Sequence, residues 1–255
     1  MIIDKLFHAA RLIRKSQDVV VFTGAGISTD SGIPDFRSHD SGLWNNVDPL
    51  MVASVYGFRR NPQAFYDWVR PLADVTIKAK PNPAHQALVR LEEMGYVTSV
   101  ITQNIDMLHT RAGNKNVYEL HGHMRQATCI HCFQVYDGQT ILNQFLEDGK
   151  VPMCDQCHEG IIKPNVILFG EQLPFRELQA AQDASRKCDL MIIIGSSLEV
   201  APASDLPIIA KRNGAKLIIV NLEPTPIDHN AEVVIHGRAA EILPEIVKQV
   251  ETHIT

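Results

Sequence analysis

Val19-Val20-Val21-Phe22-Thr23-Gly24-Ala25-Gly26-Ile27-Ser28-Thr29 reads as an apolar strand that runs straight into a glycine-rich turn. Residues 19–23 show no apolar–polar alternation, so both faces of the strand are expected to be covered, as in a parallel sheet. Glycines at 24 and 26 let backbone N–H groups come close to a pyrophosphate. The turn departs from the usual G-x-G-x-x-G pattern, because Thr29 stands where the third glycine or alanine belongs. Its continuation, SGIPDFRSHDSGLW at 31–44, is a polar loop rather than a strand ending in a ribose-binding acid, which argues against ordinary hydride transfer. Taken alone, the segment leaves a nucleotide site and a plain strand-to-helix turn both open.

Further along the chain, TSVITQN at 98–104, LMIIIGSS at 190–197, KLIIVN at 216–221 and EVVIHG at 232–237 are similar runs closed by turn residues. Helical patterns lie around them: Asp4 to Ser16 with Leu6, Phe7, Ala10 and Ile13 on one face, Pro83 to Met94 with Ala84, Ala87, Leu88 and Leu91, Pro202 to Arg212, and Ala239 to Val250. Strands alternating with helices predict an α/β protein with a Rossmann-like, doubly wound parallel sheet. Two stretches break the rhythm. Residues 38–83 hold both tryptophans, Trp44 and Trp68, several prolines and no clear strand, and read as a helical insertion. Residues 122–163 hold four cysteines and little periodicity. The expected organisation is a main domain from 1–37, 84–121 and 164–255, with a small lobe built from the helical insertion and the cysteine-bearing module.

Composition excludes several classes. A formal net charge of -5 over 255 residues gives no net basic surface for nucleic acid. Asp4, Lys5 and His8 interrupt any signal-peptide core in the first residues, and no apolar run reaches the roughly 18 to 20 residues of a membrane span. Five cysteines in a chain of this length are not a secreted disulfide framework, so the expected setting is a reducing cytoplasm.

Four of those cysteines form two C-x-x-C pairs, Cys129 with Cys132 and Cys154 with Cys157, separated by 21 residues, 133 to 153. Such spacing suits one tetrahedral Zn2+ held by four thiolates. A shell filled by four thiolates leaves no position for water or substrate, so the metal is expected to be structural. His131 and His158, beside the knuckles, read as surface histidines, and Cys188 as a small core residue. A nucleic-acid-binding zinc ribbon is disfavoured by charge: Arg125, Lys150 and Lys163 stand against Asp137, Glu147, Asp148, Asp155 and Glu159.

GAGISTDSGIPDFR at 24–37, TQNID at 102–106, ELHG at 119–122, the two C-x-x-C pairs, KPNVILFGEQLP at 163–174, GSSLEVAPASDLP at 195–207 and IVNLEPTPID at 219–228 occur in that order. Together they resemble the motif series of the sirtuins, NAD-dependent protein lysine deacylases, and they cover nearly the whole chain. The resemblance is to a catalytic core of bacterial or archaeal type.

It implies NAD as co-substrate and acyl-lysine proteins or peptides as partners, with no nucleic acid or membrane. The implied reaction begins as the acyl-lysine amide oxygen attacks C1′ of the nicotinamide ribose and ends in lysine, nicotinamide and O-acyl-ADP-ribose. His121, in NVYELHG just before the cysteine-bearing module, is the implied general base, a task suited to an imidazole with an unperturbed pKa near 6.5. Asn104 and Asp106 complete the implied catalytic set, with Gln103 and Asn104 near the ribose and Ile105 and Asp106 at the carboxamide. The implied cofactor contacts also include Gly24, Ala25, Gly26, Ser28, Ile33, Asp35, Phe36, Arg37 and Trp44. Gly195, Ser196 and Ser197 at one strand end, Asn221, Leu222 and Glu223 at the next, and Ala239 are implied for the ADP portion. Asp35, Asp106 and Ser28 also read as caps. Val166, Phe169, Gly170 and Glu171 in one segment and Glu199 and Val200 in another match the strands that clamp an extended peptide by β-augmentation. A core-strand reading covers Ile167 and Leu168 equally well.

Family members that prefer succinyl or malonyl lysine carry Tyr-x-x-Arg in the helical insertion. Here Tyr66 is followed by Val69 at that spacing and the arginine comes at 70, about 100° further round a helix, which predicts neutral acyl groups. The alternatives are an ADP-ribosyltransferase or a long-chain deacylase on the same fold. A non-enzymatic NAD-sensing protein is disfavoured by intact His121, Asn104 and Asp106.

Overall fold

The computed structural model describes residues 2–36, 43 and 47–252. Arg37 and Trp44, both implied cofactor contacts, lie outside the described residues. Helix α1 (Ile2–Lys15) buries Leu6, Ala9, Ala10 and Ile13, an i, i+3, i+4, i+7 stripe. Phe7, expected on that face, is instead 44% exposed: one residue beyond Leu6, it is turned about 100° round the axis. Strand β1 (Val19–Thr23) follows, buried along its whole length. Where they are described, residues 38–83 form α2 (Pro49–Val52), α3 (Val55–Arg60) and α4 (Pro62–Lys78), with a bridge from Ser54 to Phe169 between the first two. Then come α5 (Pro83–Glu93), β2 (Val97–Thr102), α6 (Leu108–Ala112) and β3 (Val117–Glu119). The last is a three-residue strand too short to leave a periodic signal.

Residues 122–163 are more regular than their pattern predicts. Strand β4 (Gly122–Cys129) is the middle of an antiparallel sheet flanked by β5 (Val135–Asp137) and β6 (Ile162–Val166). Helix α7 (Gly138–Asp148) starts on an Asp137 cap, whose carboxylate accepts from Thr140 N at 2.8 Å. The expected domain boundary after 163 cuts through β6, because Pro164 and Val166 are still paired with β4. Beyond it lie α8 (Phe175–Lys187), β7 (Leu190–Ile194), α9 (Leu206–Arg212), β8 (Lys216–Asn221), β9 (Val233–His236) and α10 (Ala239–Glu251).

The large sheet has the order β3-β2-β1-β7-β8-β9, every pairing parallel. Side chains of β1 alternate between two cores: Val19 and Val21 face α1, α5 and α10, while Val20 and Phe22 face α8 and α9. Strand order reverses between β1 and β7, and the carboxyl ends of those two strands open a crevice, the expected ligand position in such a sheet. A third core joins the two insertions, with Phe58, Phe65, Tyr66 and Ala73 packed on Leu142, Phe145, Val166 and Leu168. Among the described residues no helix is long and apolar enough to cross a membrane.

Candidate active site

At the crevice, the glycine turn after β1 meets the end of β7. Gly24 N donates to Ile194 O at 3.0 Å and Gly26 N to Gly195 O at 2.9 Å. A Cβ on Gly24 would lie 2.7 Å from Gly195 O, and one on Gly26 2.8 Å from Gly195 Cα, so neither position accepts a side chain. Gly195 adopts φ +60, a left-handed conformation open to glycine. The floor is therefore bare backbone, the kind of cradle a pyrophosphate requires.

The loop after β2 is wired to this floor. Thr23 Oγ1 donates to Thr102 Oγ1 at 2.8 Å, which in turn accepts from Asn104 N at 3.0 Å. The Asn104 amide donates to Gly24 O at 3.1 Å and to Ser28 Oγ at 3.2 Å. Ser28 makes no side-chain cap, contrary to one expectation; its hydroxyl donates to Asp106 Oδ2 at 2.7 Å, since the neighbouring carboxylate is the stronger acceptor. Asp106 does cap, its other oxygen accepting from Leu108 N at 2.8 Å. Burial raises the Asp106 pKa above the usual carboxylate range, against the lowering effect of these two donors. Gln103 reaches across the switch point, Nε2 donating to Ser196 Oγ at 2.8 Å.

His121 stands where the large sheet hands over to the small one, between β3 and β4. Its Nδ1 lies 2.9 Å from Gln103 O. A carbonyl only accepts, so Nδ1 is the nitrogen that carries the proton in this contact. Its own carbonyl accepts from Ile167 N at 2.8 Å, which ties the ring to the segment after β6.

Every implied substrate and cofactor residue that is described lines one cavity of about 1390 Å3. Small-ligand sites are typically about 300–1,000 Å3, so there is room for a dinucleotide and a second substrate. The glycine turn, the Gln103–Asp106 loop and the ends of β7 and β8 form one arm; residues 164–173 and 199–202 form another. Phe169 bonds Ala53 O through its N–H and Val55 N through its carbonyl, both at 2.9 Å, which fixes one edge of that second arm.

The resemblance implies an apolar tunnel for the acyl-lysine between the lobes, but the residues that wall this third arm were not foreseen. Phe65, Trp68, Val69, Leu72 and Ala73 of α4 line it together with Met124 and Leu142. Helical periodicity marks these residues as core, and core and channel wall carry the same apolar signature. Tyr66 and Arg70 face elsewhere. Tyr66 is fully buried with its hydroxyl donating to Ile162 O at 2.6 Å, and burial raises its pKa above the usual phenol range. Arg70 lies over the Phe145 ring, 5.6 Å from its centre, and donates to Leu146 O at 2.8 Å. Sequence reasoning also passed over two histidines behind the floor. His85 caps α5 through Asn82, whose amide reaches Ile27 O at 2.7 Å, and packs 4.9 Å from His109. His109 Nε2 lies 3.0 Å from Thr23 Oγ1. Burial pushes the two imidazoles down to about 4 and about 3.

In the small lobe, the sulfurs of Cys129, Cys132, Cys154 and Cys157 lie within 4.8 Å of one another. The Cys129–Cys157 and Cys132–Cys154 separations are 3.7 and 3.5 Å. Zn–S bonds of about 2.3 Å at tetrahedral angles place sulfurs about 3.8 Å apart, so the set fits zinc. Backbone N–H groups of His131 and Cys132 point at Cys129 Sγ, both at 3.4 Å, as thiolates require. A Cβ at Gly160 would collide with the Cys129 sulfur. His131 and His158 are exposed, and Cys188 is buried.

The profile of the Sir2 family matches residues 24–202. NAD-dependent protein deacylase 2 of Archaeoglobus fulgidus is 50% identical over 248 residues, 97% of each chain. NAD-dependent protein deacetylase of Sulfurisphaera tokodaii is 44% identical over 241 residues, 94% of each. A solved structure of Sir2Af2 bound to a myristoylated histone peptide superposes with a TM-score of 0.84 at 45% identity, covering 98% of this chain and 97% of that one. A glycine cradle at the switch point, a histidine between two sheets, a four-thiolate cluster and identity along nearly the whole length agree on one assignment: the chain belongs to the Sir2 family.

Proposed function

We propose that the protein is an NAD-dependent protein lysine deacylase acting on neutral acyl groups. The observation that carries this reading is one cavity that His121 lines together with a backbone cradle, the 164–173 segment suited to peptide and an apolar wall from α4. Bound NAD supplies an electrophilic ribose carbon once nicotinamide departs. Gly24, Ala25, Gly26 and Gly195 to Ser197 hold the pyrophosphate, and Asn221 to Glu223 with Ala239 hold the adenosine. Gln103 and Asn104 orient the ribose beside His121, whose Nε2 takes a proton from a ribose hydroxyl. Ile105 and Asp106 hold the carboxamide. Ser28 bonds Asp106 and so steadies this pair. Ile33, Asp35 and Phe36 cover the reacting centre and keep out water. Val166, Phe169 to Glu171, Glu199 and Val200 receive the peptide backbone. The four thiolates hold one structural zinc, which fixes the small lobe at a distance from the chemistry.

Neutral acyl preference is supported by Arg70, whose guanidinium rests on Phe145 outside the cavity, and by apolar Val69 in the wall. The third arm favours a second reading of the same chemistry, in which long acyl chains are also removed. Its lining residues Phe65 to Ala73 span about two turns of α4, more apolar wall than an acetyl group covers.

Acetyl, succinyl and myristoyl versions of one lysine peptide, incubated with NAD while nicotinamide, peptide mass and protein labelling are followed together, test both. Acetyl and myristoyl peptides are expected to lose their acyl groups and succinyl to be retained. Preferred succinyl removal would show that Arg70 does reach the acyl group. Labelling of protein by ADP-ribose without peptide turnover would replace the reading with ADP-ribosyl transfer.

A further inference from the structure

One charged side chain beside the cavity has no place in the proposed chemistry. Lys163, on β6, is only 14% exposed, and the adjoining residue, Pro164, is part of the cavity wall. Its ammonium donates to Val166 O at 2.7 Å and to Pro164 O at 3.2 Å, and pairs with Glu171 Oε2 at 3.2 Å. Three donors thus meet three acceptors. The same Glu171 oxygen accepts from Leu168 N at 2.8 Å, and Glu171 N closes a turn on Leu168 O at 3.0 Å. Gly170 inside that turn has φ +86. Burial pulls the lysine pKa down and Glu171 holds it up.

A buried ion pair is a poor source of stability against an apolar pair of the same volume. What this one supplies is geometry. All the acceptors lie on residues 164–171, the stretch whose other edge is pinned to Ala53 and Val55. Lys163 therefore ties the two ends of a segment whose middle faces the cavity.

We infer that Lys163 is a positioning residue for the protein substrate: through Glu171 and the carbonyls of Pro164 and Val166 it sets residues 166–171 at the spacing that an extended peptide backbone pairs with. The inference rests on the deacylase reading. Lys163 does not touch the acyl group or the ribose, so it acts only on substrates that carry main chain on either side of the lysine.

That selectivity makes the test. Wild type, Lys163→Met and Lys163→Arg are assayed at saturating NAD on an extended acetyl-lysine peptide and on a single acetyl-lysine blocked at both ends. In Lys163→Met, kcat/KM for the extended peptide is expected to fall about tenfold or more, through KM, with little change for the single residue. Lys163→Arg keeps the charge but not the compact three-donor head, and a smaller loss in the same ratio is expected. Equal losses on both substrates, or none on the peptide, would overturn the inference. If Lys163→Met does not fold, the ratio in Lys163→Arg decides: a fall supports positioning and an unchanged ratio ends it. A wild-type protein that turns over neither substrate overturns the deacylase reading itself, whereas an active wild type with an unchanged ratio overturns only the role of Lys163.

Discussion

His121 works with one nitrogen committed. In the proposed reaction His121 acts through Nε2, because the contact to Gln103 O requires the proton on Nδ1. His121→Ala is expected to lower deacylation by about 10²- to 10⁴-fold while NAD binding by calorimetry changes little. Unchanged turnover would remove His121 as the base. Val69 governs a different property. Val69→Trp adds bulk to the channel wall, so myristoyl removal is expected to fall about tenfold with acetyl removal nearly unaffected. A parallel loss of both activities would place the acyl chain elsewhere. Ser196 was readable because a strand run ending in Gly and Ser marks the ligand edge of a sheet, whereas Asn104 and Asp106 were singled out only by the motif resemblance. Lys163 and His109 were not readable, since a single charged or polar residue in a strand or helix signals nothing until its buried partners are known.

The zinc knuckles and the strands they close stand or fall together. Cys129 ends β4, and β6 is reached only through the turn that holds Cys154, Cys157 and Gly160. Dialysis against a strong chelator is expected to release zinc, expose residues 130–160 to proteolysis and abolish turnover, although no thiolate lines the cavity. Full activity in metal-free protein would exclude a structural role. Elements of the large sheet were legible as continuous apolar runs, because strands covered on both faces need no alternation. Strands β4 to β6 were not: their order comes from four sulfurs and from packing on α7, not from an apolar period. The wall of the third arm was hidden for a related reason, since Phe65 packs against Tyr66 in the core while also lining the cavity.

Stability of the whole molecule should follow the His85–His109 pair. Both are held neutral in the folded chain, down to about 4 and about 3, whereas in the unfolded chain each takes up a proton near pH 6.5. The unfolded state therefore binds more protons below pH 6.5, and stability is full above that pH and falls as pH drops toward 3. Asp106 acts oppositely, because burial raises its pKa and leaves its charge a cost at neutral pH. Unfolding free energies from urea titrations at pH 7 and pH 4.5 are expected to differ by on the order of a few kcal/mol, and His85→Gln with His109→Gln to flatten the difference. An identical slope in the double variant would locate the acid sensitivity elsewhere.

The strand order carries a last consequence, in the time the chain takes to be made. Val19 of β1 pairs with Leu190 of β7, so the two halves of the glycine cradle are separated by most of the polypeptide. In chain order, β1 and its partner β2 and all four thiolate ligands, within residues 129–157, precede β7, which pairs with the other edge of β1. Only the later arrival of β7 covers that edge and creates the dinucleotide floor. Pairings this distant in sequence slow folding, so closing the crevice is expected to be a slow step compared with the local contacts of the small lobe.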